Sequence, residues 1–284
     1  TDSLPDASVT AAKIASGLGL VTTDAQSNTV AGTNAGDSFT GTSATYNTLF
    51  GHEAGTAITT GDYNTAVGGR DTLKATTTGS YNVALGNFTL SLNTTSSNNT
   101  AVGYAALNQN TASSNTAVGH QALNVNTTGT RNVAVGHNSL DANTTADSNT
   151  AIGYLALTTN TTGAYNTALG DAALGNNTTA PNNTAVGYAA LNLNTTGTQN
   201  NAVGANALEA NTTGAYNNAF GKSALNANTT GQENVAIGNL AVKLNTTGSY
   251  DVGIGSYALY ENTTGSNNTA VGYQSLEKNT TGGS

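Results

Sequence analysis

A glycine preceded by an Ala-plus-aliphatic pair returns along this chain every 17 residues, and that period constrains the fold more than any other feature. The series runs Gly51, Gly68, Gly86, Gly103, Gly119, Gly136, Gly153, Gly170, Gly187, Gly204, Gly221, Gly238, Gly255 and Gly272. Eleven of its thirteen intervals are 17 residues, and the other two, 18 and 16, are single-residue adjustments. A fixed period of this length is the signature of stacked repeats, in which each unit buries its apolar face only against its neighbours.

Each copy repeats its chemistry as well as its length. Immediately before the glycine stands a bulky apolar residue, Val102, Ile152, Val186, Ile237 and Val271 among them, and this row is expected to be buried in the core. One residue earlier is Ala in nearly every copy, which implies a close contact that limits side-chain size, suited to the approach of another chain. Four before the glycine is Asn, as at Asn99, Asn132, Asn166, Asn200, Asn234 and Asn268, with Asp251 the one exception. Four after the glycine comes a second aliphatic row, including Leu107, Leu157, Leu191 and Leu225, also assigned to the core. From Asn93 onward an Asn-Thr pair follows, as at Asn126, Asn194 and Asn262, usually completed to an NTTG turn.

The segments between turns are short and rich in β-branched residues, with Gly or Asn at both ends. A helical repeat needs longer apolar stripes and far fewer Gly, Asn and Thr. The expected fold is therefore all-β, a parallel β-solenoid or β-roll of 17-residue coils. Stacking at about 4.8 Å per coil places like residue over like, so Asn side chains can form hydrogen-bonded ladders, while like charges in register would repel. Charged residues are accordingly only 8% of the chain, against about 25% in an average domain, and Asp171, Glu209, Lys222 and Glu261 never form a column. About 14 such coils predict a rod about 65 Å long.

Three regions are expected: a non-repetitive lead-in or cap at 1–27, degenerate first coils at 28–50, and regular coils over 51–284. The chain begins at Thr1 and has no Met, which reads as a processed or excerpted piece. With about two bulky apolar residues per coil, the core is thin for a free-standing solenoid, so a homotrimer is expected. A net charge of −8 without a basic stripe disfavours nucleic acid, and there is no apolar run long enough for membrane insertion.

The segments RNVAVGHNSL (131–140), ENVAIGNLAV (233–242) and YNVALGNFTL (81–90) resemble the Asn-x-Val-Ala-Ile-Gly repeat of trimeric autotransporter adhesin heads. The likeness covers about six positions per coil, across roughly residues 47–276; this repeat is longer, and Thr replaces Val at Thr100 and Thr184. The resemblance implies a left-handed β-roll trimer at a cell surface that attaches to host matrix or other cells. The unit NTAVGYAALNLNTTG is also similar to arrays in phage tail fibres and bacterial surface fibres, and PDASVTAAKIASG (5–17) to segments that precede them. Both groups imply an extracellular fibre on a cell surface or a virion appendage. The partners then expected are two further copies of the chain and a surface protein, glycan or matrix of the target.

Candidate chemistry is sparse. His120 and His137 share one repeat position and would lie close enough to share a metal, but Tyr104, Tyr154, Lys222 and Ser256 occupy the same column, which marks a variable solvent-facing position; no metal or cofactor is expected. In that column Tyr104, Tyr154, Tyr188 and Tyr273 are candidate surface contacts, and Tyr63, Tyr81, Tyr165, Tyr216 and Tyr250 form a second tyrosine column. Asn126, Asn194 and Asn262 are formal N-glycosylation sites. Acids are too few and out of register for a calcium roll. With 15 acidic and 7 basic residues and no recognisable acid, base or nucleophile set, no catalytic residue is assigned and no enzyme is expected. The Thr column of Thr127, Thr161 and Thr195 raises an ice-binding alternative, ranked below a bacterial adhesive shaft and a phage tail-fibre shaft.

Overall fold

The computed structural model of the chain describes residues 22–39 and 43–283. Residues 1–21, most of the expected lead-in and all of the segment at 5–17, lie outside the described residues. The described residues are strands and turns, with no helix. They form two compact units, one ending at Ser113 and one beginning at Ser114, and each is a parallel β-solenoid.

In the first unit β1 (Thr22–Thr23) pairs antiparallel with β2 (Thr29–Ala31). Parallel pairing then runs from β2 through β3 (Thr48–Phe50), β4 (Thr65–Val67) and β5 (Val83–Leu85) to β6 (Thr100–Val102). The second unit stacks β7 (Thr116–Val118), β8 (Val133–Val135), β9 (Thr150–Ile152), β10 (Thr167–Leu169), β11 (Thr184–Val186), β12 (Asn201–Val203), β13 (Asn218–Phe220), β14 (Val235–Ile237), β15 (Val252–Ile254) and β16 (Thr269–Val271), all parallel and in chain order. Register is like over like: Thr150 faces Thr167, Ala151 faces Ala168 and Ile152 faces Leu169.

Only three residues of a regular coil are strand, yet the whole coil is zipped to its neighbours. Around the turn from Gly136, the backbone N–H groups of Gly136, Asn138 and Ser148 donate to the preceding coil, at Val118, His120 and Thr130. Those of Leu140, Ala142, Thr144 and Thr150 donate to the following one, at Ala156, Thr158, Thr161 and Asn166. Buried backbone groups are thereby satisfied without a long strand. The glycine is needed where it stands: Gly136 has φ 139°, and a Cβ there would run into the Gly153 carbonyl of the next coil.

The interior corrects the sequence reading of the core. Ala151, Ala156 and Leu157 are fully buried, and so are Asn149 and Asn160. Leu107, Leu157, Leu191 and Leu225 lie in the core as expected. The row before the glycine does not. Val102 and Val186 are half-buried, while Ile152, Ile237 and Val271 are exposed, and all five point outward from their own coil. In a three-residue strand side chains alternate, and the middle residue, Ala, takes the inward place. The Ala column therefore packs inside its own chain and is not a site of approach for another.

Variant coils show why. At the start of the first unit Leu49 replaces the inward Ala, and the neighbouring core position is Gly55 in place of Leu. A Cβ on Gly55 would meet the side chains of Leu49 and Ile58 at 2.8 Å. Near the other end Gly253 replaces Ala while Val242 replaces Leu, and the Val242 methyl occupies the space a Cβ on Gly253 would need. The inward residue and the aliphatic compete for one volume, and the large Leu49 fits where Gly55 carries no side chain. Ile58, with Phe39 in the coil before, also takes the place of the second buried Asn, giving the first coils an apolar centre.

Candidate functional site

Two asparagine ladders run through the interior of the regular coils. In the strand column, Oδ1 of each Asn accepts the backbone N–H of the Asn one coil on: Asn115 to Asn132 at 2.9 Å, Asn149 to Asn166 at 2.9 Å, Asn183 to Asn200 at 3.0 Å and Asn217 to Asn234 at 3.1 Å. Asn99 and Asn268 hold the same place, on Asn82 and Asp251. In the turn column the side-chain amide donates to Oδ1 of the Asn one coil back, from Asn143 to Asn126 at 2.8 Å, Asn194 to Asn177 at 3.0 Å and Asn262 to Asn245 at 3.3 Å. Every donor and acceptor direction repeats, so each amide polarises the next.

This burial removes the glycosylation alternative in the folded chain. Asn126, Asn194 and Asn262 are fully buried, and their amide nitrogens donate to Gly129, Gly197 and Gly265 at 2.8, 2.9 and 3.0 Å. The first Thr of each turn is committed too: Thr127, Thr161 and Thr195 donate Oγ1 to the carbonyl of the next coil at 2.9, 3.1 and 3.0 Å. The second Thr, as at Thr128, Thr162 and Thr196, is exposed, a single file rather than a broad array.

Asp251 places a carboxylate at an Asn position of the strand ladder. It is fully buried and accepts Asn268 N–H at 2.9 Å, Asn268 Nδ2 at 3.0 Å and Asn262 Nδ2 at 3.0 Å. Burial pushes its pKa above the usual carboxylate value, and these hydrogen bonds only partly offset that.

Outside the core, His120 and His137 stack with ring centroids 4.8 Å apart and planes 7° from parallel, and Tyr154 follows at 5.5 Å. Beneath them Asp141 is held above its usual pKa by burial, against the pull of the His137 and His120 imidazoles and the Asn124 amide. Among the described residues there is no group of three or more His, Asp or Glu side chains arranged to hold a metal ion. Ion pairs cross from coil to coil at Lys278 with Glu261, 2.6 Å, and at Lys74 with Glu53, 2.7 Å. Lys74 also meets Asp71 at 2.8 Å and holds that carboxyl below its usual pKa.

The remaining surface features are apolar. The outward row before the glycine exposes Val67, Ile152, Leu169, Phe220, Ile237, Ile254 and Val271, from 37% to 65% of each side chain. Tyr104, Tyr154, Tyr188 and Tyr273, the candidate contacts, are all exposed, as are Tyr46, Tyr63, Tyr81, Tyr165, Tyr216 and Tyr250 of the second column. Sequence reasoning missed the outward row because it equated bulk with burial; the Leu49–Gly55 exchange was the signal that Ala and Leu already fill the interior. A shallow groove of about 400 Å³ lies between Tyr216, Asn218, Glu233 and Val235. No protein-family model, curated protein or solved structure matches the chain.

Proposed function

We propose that the chain is the structural and adhesive shaft of an extracellular fibre on a bacterial surface, assembled from three parallel copies. The observation that carries this reading is the outward Val, Ile, Leu and Phe row. Within the second unit each regular coil adds one such residue directly over the last, so an apolar stripe stands on the solvent side of its strands. Stripes of this kind call for a cover. Three copies in register, each turning its stripe to a common axis, cover all of them at once and add to the thin core of the single coil.

The other features agree with a load-bearing role. Interior amides are hydrogen-bonded from coil to coil, as from Asn143 to Asn126 and Asn194 to Asn177, and charge is sparse.

Sedimentation equilibrium tests the assembly. A species three times the 28.2 kDa chain mass is expected, and a stable folded monomer overturns the trimer. Immunolabelling of intact bacteria tests the location, with label at the cell surface expected. Label on virions would transfer the same shaft to a phage tail fibre.

A further inference from the structure

The second tyrosine column is continuous at one place only, in the first unit. There Tyr46, Tyr63 and Tyr81 stack with centroid steps of 5.0 and 5.1 Å and interplanar angles of 11° and 6°. Faces in contact sit about 3.5–4.0 Å apart, so near-parallel rings stepped by 5.0 Å are slipped across one another. Part of every face stays open, and the three side chains remain 54%, 47% and 57% exposed.

The strip is rigid before anything binds. All three tyrosines sit at φ near +58°, and their N–H groups are fixed to Gln26, Thr45 and Asp62 of the preceding coils. The residues just before them form a polar margin of their own, with Asp62 Oδ1 accepting Thr45 N–H at 2.7 Å and its hydroxyl at 2.9 Å, and Asp62 N–H donating to Ser80 at 3.0 Å. On the other side stand Thr48, Thr65 and Val83, outward residues of their strands. In the second unit the groove at Tyr216 lies between the tyrosine column, at Tyr216 and Glu233, and the outward row, at Asn218 and Val235.

We infer that Tyr46, Tyr63 and Tyr81 form a binding strip for an extended β-1,4-linked polysaccharide. Such a chain is a flat ribbon that advances per sugar by nearly the step of a β-stack, about 4.8 Å, so successive pyranose rings meet successive phenol rings. Axial C–H groups of each sugar lie on the open tyrosine face, and equatorial hydroxyls reach the phenol O–H and the Asp62 and Ser80 margin. An α-linked glucan coils and loses this register after one or two sugars. Single-stranded nucleic acid also stacks on aromatic rows, but a margin carrying Asp62 on a chain of net charge −8 repels a polyphosphate.

This specifies the ligand class of the adhesive surface in the fibre reading and needs no second copy of the chain, since the strip is complete in one. The test is titration calorimetry of the full chain with cellohexaose and chitohexaose, beside maltohexaose and an oligothymidylate, with sedimentation run on the same samples. Binding of at least one β-1,4 hexamer, with neither control binding, is expected. Tyr63→Ala is expected to weaken it about tenfold or more, Tyr63→Phe to keep most of it, and Tyr165→Ala, an isolated ring in the same column, to leave it unchanged. Tyr46→Ala and Tyr81→Ala each pose the same question from the ends of the strip, should Tyr63→Ala fail to fold. Absence of β-1,4 binding, equal binding of maltohexaose, preference for the oligothymidylate, or full affinity in well-folded strip variants overturns the inference. A monomer that binds overturns only the trimer.

Discussion

Asn132 and Asn143 donate their side-chain amides to one acceptor, the carbonyl oxygen of Ala146, at 2.8 and 3.1 Å. The same fork joins Asn149 and Asn160 on Gly163, and Asn183 and Asn194 on Gly197. A carbonyl oxygen offers two lone pairs, and the two columns fill both. Strand and turn are thereby tied across the interior of these coils, while the Oδ1 atoms carry the tie to the neighbouring coil.

Replacing Asn132 by Ala removes one arm of a fork and leaves the Asn149 N–H, 3.0 Å from Asn132 Oδ1 in the native chain, without its acceptor. A buried polar group stripped of its partner costs about 1–3 kcal/mol. Calorimetry is expected to show a lower melting temperature for the variant, and an unchanged one would mean that the ladder carries no net stability.

Leu157 is fully buried, and its coil has no other large apolar side chain inside. Leu157→Ala is expected to destabilise by about 2–5 kcal/mol, read from the shift of a denaturant midpoint. The outward Ile152→Ala, by contrast, leaves no internal cavity and is expected to change the stability of the isolated chain by far less. Equal losses at the two sites would contradict the assignment of inside and outside.

Asp251 makes stability depend on pH with a definite sign. Its pKa is raised in the folded chain, so the folded state favours the protonated carboxyl. Its stabilising contribution is complete below the ordinary carboxylate pKa of about 3.9 and is lost as pH rises through the raised folded value. In the coil before, Asn234 and Asn245 both donate to Gly248; an Asn at 251 would restore that fork at Gly265. Asp251→Asn is therefore expected to raise the melting temperature at pH 7 by more than at pH 3.5. A gain that is equal at both pH values would refute the buried-carboxylate account.

Ile237 stands in the outward row, exposed on its strand. Ile237→Glu is expected to leave far-ultraviolet circular dichroism and the fold of one chain intact, because surface substitutions usually change stability by within about 0.5 kcal/mol. In a trimer it would set three carboxylates against one axis. Sedimentation is expected to show dissociation, and a variant that stays trimeric would place the contact elsewhere.

The period, the parallel stacking, the two ladders and the buried leucines follow from the sequence alone, because a 17-residue repeat in β spacing leaves like side chains only one way to meet. The same logic rejects charge columns, and the opposite-signed contacts of Lys278 with Glu261 and Lys74 with Glu53 show where the exceptions are tolerated. What the sequence did not decide was the face of each residue in Thr-Ala-Val. Three residues are too short for an alternation to declare its inner side, and hydrophobicity by itself favoured Val. Tertiary structure settled it by volume: Leu157 and two asparagines already fill the coil, so only the Ala151 methyl fits within, and Ile152 is turned out. Gly55 beside Leu49 and Gly253 beside Val242 obey the same limit. The tyrosine strip was likewise a matter of placement, since Tyr46, Tyr63 and Tyr81 are scattered in sequence and become one surface only when consecutive coils bring them 5.0 and 5.1 Å apart.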